Sequence, residues 1–577
     1  MRNNILILIY SLINSLSSSL TKVRLKLKLI PVLKKIIIPL FFLFAYFSVA
    51  AQFIEDHQTF GGTATDKISG ITIDELNTTY LTGTFDNTLI IKDTLLTNGD
   101  DDVFIAQLDF DGTPLWAKNF GSISDEKTSD IIYQNGFLYT TGFFWDTIQV
   151  DGQMLVSGAD GSGIYIIKMD TLGNIIWTDQ LIGNGIKTVE NITIDPSENI
   201  YITGRFSQNI HFRTTNIPVA GNMNMYILKV NPTTSAYQLN TLGQTQNTRG
   251  KNILHNQNNH IYALGQFNGQ VQIDGTTINS GANDENGFLV KMTDQIAPLS
   301  SVWIKEFAGV GDAFPIDLTL DDHDNIYVAG YFINSLSVGN QTIQTASNDK
   351  DIFIAKFNST GQLLQLKGFG TNSDEFINSI YYQNGQLLLG GYYIGNTQFG
   401  TIPLVGDPFS PVGFICQTDT FLNVNFAEAK GDLATDAFVN EVIYNHKSIS
   451  NQNDFMMAAG DFLGNFAADP NIFLPSNGSF DFFISKKRIV IAAQKQVLSK
   501  LELQVFPNPV QDYLTIKIAT NQYQIMIYNT LGQKVHDQNT WINEQITLPV
   551  SALENGLYYL KISSKSGQIT MPFVLQR

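Results

Sequence analysis

A single cysteine, Cys416, stands in 577 residues. An intrachain disulfide framework and a thiolate metal cluster each need at least two thiols, so both are excluded. The seven histidines include no H-E-x-x-H pair, which leaves zinc ligation of that kind without support. No G-x-S-x-G elbow is present to seat a nucleophilic serine. Positive charge is scarce too, with 35 Lys and Arg against 52 Asp and Glu for a net charge of -17. Phosphate binding needs a basic footprint, and this removes nucleic acid from the expected partners. Helical periodicity is also missing, and one β-strand repeated seven times takes its place.

Residues 1–51 hold seven basic residues and no acid, so the rest of the chain carries 28 basic residues against 52 acids, a net of -24. In this segment Lys34 and Lys35 precede the apolar run "IIIPLFFLFAYFSV" and the small-residue site "AAQ". The run is shorter than the roughly 20 residues of a spanning helix, and the pattern predicts a secretory signal peptide over 1–51, cleaved after Ala51. No transmembrane segment is expected after cleavage.

The repeat is anchored by Gly83, Gly142, Gly204, Gly265, Gly330, Gly391 and Gly460, about sixty residues apart. An aromatic ring follows each glycine by two positions, as in Phe85 and Phe332. A second aromatic follows by 21 to 23 positions: Phe104, Tyr165, Tyr226, Phe288, Phe353, Phe414 and Phe482. In "NIYVAGYF", residues 325–332, side chains alternate between faces and both faces are mostly apolar, so the strand is expected inside a stack of sheets. The glycine fits a place where a ring or a neighbouring backbone crowds the strand. Cys416, three residues into its repeat's third strand, reads as a small buried apolar group.

Each unit reads as four strands, the first being "ISGITID", "TYLTGTF", "VFIAQLD" and "PLWAKNF". Short turns such as "DELN" and "DFDG" separate the outer pairs, and a longer excursion joins the second strand to the third. Asp151-Gly152 and Asp274-Gly275 mark tight hairpin turns within these excursions. Four antiparallel strands in each of seven units predict an all-β fold, a seven-bladed β-propeller over 52–490. The seventh unit lacks its fourth strand, and "EDHQTFG" at 55–61 aligns with "WAKNFG", so the N-terminal segment is expected to close the ring. The repeat strand resembles that of the SBBP β-propeller repeat family, a resemblance that implies a fold and no single activity.

After a linker at 491–502 the period stops. Residues 503–577 hold short alternating strands behind Pro507 and Pro509, read as a small immunoglobulin-like β-sandwich. "FPNP" (Phe506, Pro507, Asn508, Pro509), "YNTLGQKV" with Gly532, "LENGLYYLKI" with Gly556, and a last strand ending in Arg577 resemble the type IX secretion C-terminal sorting domain, type A. That resemblance implies the type IX secretion machinery as a partner, with export through the periplasm to the outer cell surface or the extracellular space.

Acidic loops are the candidates for chemistry in the propeller. Asp100, Asp101 and Asp102 in "NGDDD", and Asp321, Asp322 and Asp324 in "DDHDN", cluster the oxygen ligands that calcium prefers, which makes calcium the one candidate cofactor. Neither loop completes a D-x-D-x-D-G pattern, and polar turns capping strands would use the same residues. No catalytic residue is assigned. Long loops on a rigid scaffold are usual recognition elements, and the expectation is a secreted or surface-attached protein that binds an extracellular glycan or protein. The alternatives are a polysaccharide-acting hydrolase, with paired carboxylates in the channel, and a structural surface-layer component.

Overall fold

The computed structural model describes residues 52–490 and 504–577, apart from 159, 244–246, 282–283, 295–298, 346, 432–435, 446–454, 470–471, 508, 518–520, 530–533, 543–544 and 565–566. The expected leader at 1–51, the linker at 491–502, and the sorting-motif residues Asn508 and Gly532 lie outside the described residues. The described chain is all-β and falls into two compact units, one spanning Phe53–Ile489 and one holding the strands after residue 503.

In the larger unit the four-stranded repeat becomes a four-stranded antiparallel sheet, a propeller blade. The first blade runs in sheet order Asp66–Ile73, Thr79–Phe85, Asp102–Leu108, Pro114–Phe120. Among the described residues seven such sheets follow one another, the fourth extended by a ribbon of the fifth. The fourth strand of the last sheet is Gln52–Phe60, placed beside Asp481–Val490 from the far end of the unit. Contacts also cross from the last blade to the first: Ile68 N–H donates to Asp461 Oδ1 at 2.9 Å, and Asn440 Nδ2 donates to the Ile68 carbonyl at 3.1 Å.

The anchoring glycine explains itself in the packing. A β-carbon on Gly330 would stand 2.2 Å from the Phe314 carbonyl oxygen and 2.7 Å from the Phe353 ring, and Gly83 meets the Lys67 carbonyl and the Phe104 ring in the same way. The glycine and the second aromatic of the repeat are therefore two sides of one cross-strand contact. In the last blade the partner shifts by one. Phe483 pairs with Gly460, while Phe482, the residue expected from spacing, pairs with Asp461 and stacks on Phe104 of the first blade at 5.1 Å. Cys416 is fully buried, as its place in the repeat predicts.

The excursions between second and third strands carry the expected hairpin turns at Asp151-Gly152 and Asp274-Gly275, and they are packed ribbons rather than long loops. Each folds into a two-stranded ribbon, such as Thr147–Val150 with Gln153–Val156 turned by Asp151 and Gly152 at φ 47° and 79°. The ribbons bury Ile148, Ile210, Val271, Leu336, Phe399 and Phe466. They also bridge to the outermost strand of the preceding blade, as His211 does to Ile182 and Ser335–Ser337 to Ala308–Val310. Apolar residues at every second position gave these segments a face to bury, so they staple neighbouring blades at the rim.

The smaller unit is a β-sandwich. A three-stranded sheet orders Gln504–Phe506, Tyr513–Lys517 and Gln545–Pro549, and a four-stranded sheet orders Lys534–Ile542, Asn521–Asn529, Gly556–Ser564 and Gly567–Leu575. Leu514, Ile516, Ile525, Leu548, Leu560 and Phe573 fill the space between them.

Candidate functional site

The first strand of every blade is innermost, and the seven together line a central cavity of about 350 Å³. Each is the edge of its sheet, so part of its backbone points at the cavity without a ladder partner. A bulge interrupts all seven at one level, skipping Ser69, Ser129, Glu190, Lys251, Ile316, Asn378 and Asn440. The residue after each bulge forms a ring: Gly70, Asp130, Asn191, Asn252, Asp317, Ser379 and Glu441. Members of this ring accept backbone N–H groups of the next blade. Ile253 donates to Asn191 Oδ1 at 3.1 Å, Ile380 to Asp317 Oδ2 at 2.7 Å, and Val442 to Ser379 Oγ at 3.3 Å. One layer on, Thr72, Thr193 and Thr319 accept from Tyr133, His255 and Tyr382 in the same manner. The ring thus satisfies part of the inner edges of the blades.

Three ring members are carboxyl groups. The cavity strips water from Asp130 and Asp317 and pushes each up to about 7, with the neighbouring Asp317 adding to the effect on Asp130. Glu441 is raised as well, by burial first and then by Asp130 and Asp317. Asp317 is tied by three donors, Asn252 Nδ2, Leu318 N–H and Ile380 N–H. Glu441 takes one from Ser379 Oγ at 3.1 Å.

A second constellation lies one pair before the anchoring glycine, at the start of the first strands. The register makes seven equivalent pairs there: Lys67 with Thr84, Lys127 with Phe143, Thr188 with Arg205, Arg249 with Gln266, Phe314 with Tyr331, Phe376 with Tyr392, and Phe438 with Asp461. This is the face on which the ribbons emerge. Blades five to seven contribute a continuous arc of half-exposed rings. Its successive centroid distances are 5.0 Å (Phe314 to Tyr331), 5.1 Å (Tyr331 to Phe376), 4.5 Å (Phe376 to Tyr392), 4.9 Å (Tyr392 to Phe438) and 6.1 Å (Phe438 to Phe480). Lys67 closes one end, its Nζ 5.3 Å from the Phe480 ring, and Lys350 stands 4.7 Å from the Phe376 ring. Burial raises the Tyr331 hydroxyl and pushes that of Tyr392 up to about 12. Blades one to four supply the basic side chains, with Arg249 Nε donating to Gln266 Oε1 at 2.7 Å and Lys251 Nζ paired with Glu190 at 2.8 Å.

Sequence reasoning did not assemble either constellation. The signal for the arc lies in the chain, since "AFP", "EFI" and "AFV" recur at 313–315, 375–377 and 437–439. It covers three repeats of seven, and the ring contacts it makes cross from blade to blade, which linear spacing does not record.

The acidic loops fall elsewhere. Asp321 knots its own turn, with Oδ1 accepting His323 and Asn325 N–H and Oδ2 accepting Asn325 Nδ2 and Tyr327 Oη. Asp322 accepts the Tyr382 hydroxyl at 2.9 Å, and Asp324 accepts Asn256 Nδ2 at 3.2 Å. Asp101 pairs with Lys127, and the buried Asp102 accepts Asn98 N–H and Nδ2, while burial raises its carboxyl. Asp100 is exposed. Among the described residues the side chains that converge as a metal-ligating group are Asp195, His255 and Asp294, outside both loops. There Lys229 Nζ already holds both Asp294 oxygens, at 2.7 and 2.9 Å.

In the sandwich Phe506 is exposed next to a cis bond to Pro507, and Pro509 is exposed as well. Gly556 opens the third strand of the four-stranded sheet. Arg577 fastens the chain end, donating to the Gln511 carbonyl at 3.2 Å and the Val550 carbonyl at 2.9 Å, with Asp512 3.3 Å away.

Blades, inner ring and terminal sandwich together define an exported β-propeller protein. Residues 176–205 match the family described as a beta-propeller repeat, and residues 504–576 match the secretion system C-terminal sorting domain. This tail is that of a type IX secretion substrate and marks the chain for export to the cell surface or extracellular space. Among the described residues no helix is long and apolar enough to cross a membrane. A curated relative, the uncharacterized WD repeat-containing protein L264 of Acanthamoeba polyphaga mimivirus, is 22% identical over 401 residues, 56% of this chain and 28% of the relative. This chain therefore spans little more than a quarter of that relative's length. Among solved structures, Pyrococcus horikoshii acylaminoacyl peptidase is 10% identical with a TM-score of 0.36, over 78% of this chain and 57% of that one. An apocarotenoid oxygenase of Synechocystis is 11% identical with a TM-score of 0.33, over 74% and 96%. The GH43 protein BlXynB of Bacillus licheniformis is 8% identical with a TM-score of 0.25, over 76% and 100%. Likeness at this level carries no argument about activity.

Proposed function

We propose that this is an exported recognition protein that holds an extracellular glycan or protein ligand at the inner end of the ribbon face, either released or attached to the cell surface. The observation that carries the reading is the arc from Phe314 to Phe480, six half-exposed rings in mutual contact on a rigid scaffold. Ring faces offer apolar area at low entropic cost, and hydroxyl and charged neighbours supply orientation, the usual make-up of a ligand site. A sugar has the matching character, an apolar ring face edged by hydroxyls. The test is binding of the intact protein to a glycan and matrix-protein array, with calcium and with chelator, beside Tyr392→Ala and Phe376→Ala. Saturable binding lost in both variants supports the reading, and binding unchanged in both rejects this location.

A hydrolytic reading is favoured by one observation, the three carboxyl groups with raised proton affinity in the central cavity. Turnover of a polysaccharide, abolished by Glu441→Gln with the fold intact, would establish it. An intact protein inert on the bound glycan would reject it.

A further inference from the structure

The geometry points to an anionic saccharide, carrying carboxylate or sulfate groups, as the ligand of the ribbon face; this rests on the binding reading above and adds the charge of the ligand. The chain as a whole is strongly acidic, with a net charge of -17. A net charge of this sign disfavours anions on the whole, so a cluster of cations at the inner end of the ribbon face is where one could be held. There the equivalent pairs of the first four blades supply Lys67, Lys127, Arg205 and Arg249, and the neighbouring bulge supplies Lys251. Four acids act on these five cations: Asp101 on Lys127, Glu285 on Arg249, Glu190 on Lys251 and Asp461 on Lys67.

The pairing leaves donors over. A guanidinium carries five N–H groups, and for Arg249 the contacts are Nε to Gln266 and one terminal nitrogen to Glu285. Arg205 Nε is screened from solvent and has no hydrogen-bond partner. The two guanidinium groups belong to adjacent blades; Arg249 pairs with Glu285, and Arg205 is near enough to favour the same carboxylate, against burial and the neighbouring Asp312. Arg249 also acts on the Tyr331 hydroxyl, so the basic sector begins where the aromatic arc does. A planar fork beside a ring surface suits a ligand that offers a carboxylate or sulfate within one sugar of an apolar ring face. A neutral sugar would leave the fork unused, and a cationic ligand would meet like charge.

The test uses the intact protein and three hexasaccharide probes: an oligogalacturonate, the same chain fully methyl-esterified, and a sulfated galactan fragment. Titration calorimetry is run at low and moderate salt for the wild type, Arg205→Gln/Arg249→Gln and Tyr392→Ala, with thermal melts to verify folding. The expected result is binding of at least one anionic probe, no measurable binding of the ester, and about tenfold weakening in the arginine variant and on raising salt. Equal binding of acid and ester, weakened by Tyr392→Ala alone, would overturn the charge assignment and leave the binding reading standing. Binding of no probe would overturn the assignment, and if the array is also silent the binding reading falls with it.

Discussion

Gly330 and Phe353 face each other across the second and third strands of the fifth blade, with the ring 2.7 Å from where a β-carbon on the glycine would stand. The Phe314 carbonyl closes the same space at 2.2 Å, and a backbone carbonyl in a ladder cannot retreat as a side chain can. Gly330→Ala is therefore expected to destabilise the propeller by about 2 to 3 kcal/mol, the upper part of the range for overpacking. Urea unfolding monitored by tryptophan fluorescence measures it, and a loss below the noise of that method would contradict the crowding argument. Gly136→Ala is the control, because its space is open, although its φ of 85° adds some backbone strain.

Glu55 fastens the strand from the beginning of the propeller to its end. Its carboxylate contacts Lys430 and Lys487 and accepts Ser485 Oγ at 2.9 Å. Although burial opposes ionisation, Lys430 and Lys487 hold this carboxyl down to about 2. A lowered value in the folded state means stability that is present above the unfolded value near 4.5 and is lost as pH falls toward 2. Glu55→Gln should cost roughly 3 kcal/mol, since two buried ammonium groups lose part of their compensation. It should also flatten the acid limb of the stability curve. Proteolysis of the N-terminal strand reports the same event locally.

Other carboxyl groups act in the opposite sense. Burial pushes Asp66 and Glu375 up to about 8, with Asp481 adding to the first and Asp351 to the second. A raised value means that folding takes up a proton, so stability is highest below the unfolded value near 4 and declines as pH rises through 8. The wild type should melt at a higher temperature at pH 5 than at pH 8.5. Asp66→Asn and Glu375→Gln should narrow that difference, and a melting point that rises from pH 5 to pH 8.5 would exclude these groups as the governing ones.

Export should depend on the terminal sandwich. A chain ending at residue 503 keeps every described propeller strand and loses the sorting domain at 504–576. It should be retained inside the cell, with fractionation showing none at the surface or in the medium. Arg577→Ala, which releases contacts to Gln511 and Val550, should reduce export if those contacts set the end of the domain for recognition, and melting of the domain separates that effect from unfolding.

Much of the architecture could be read before any coordinates. The spacing of Gly83 through Gly460, paired with an aromatic about 22 residues later, is a local pattern with a local cause. Both partners belong to one hairpin of strands, so the repeat writes the contact directly. The turn of Asp321 is local in the same way, since its oxygens are spent within six residues of itself, whereas Asp322 and Asp324 bond residues 60 or more away. The one-residue shift from Phe482 to Phe483 in the last blade was not legible, because two adjacent phenylalanines satisfy the spacing equally. The hairpin turns at Asp151-Gly152 and Asp274-Gly275 could be read in the excursions, whereas the packing of those ribbons depends on the outer strand of another blade.

By itself the sequence determined an acidic all-β repeat protein with one buried thiol and a sorting tail, since period, composition and terminal motifs are properties of the linear chain. Tertiary structure decided what meets whom around the ring. Asp130, Asp317 and Glu441 share one cavity although more than a hundred residues separate each from the next, and Phe376 and Phe438 touch rings one blade away. Such convergence is created by the curvature of seven packed sheets, which sets the inner strands side by side regardless of their distance along the chain.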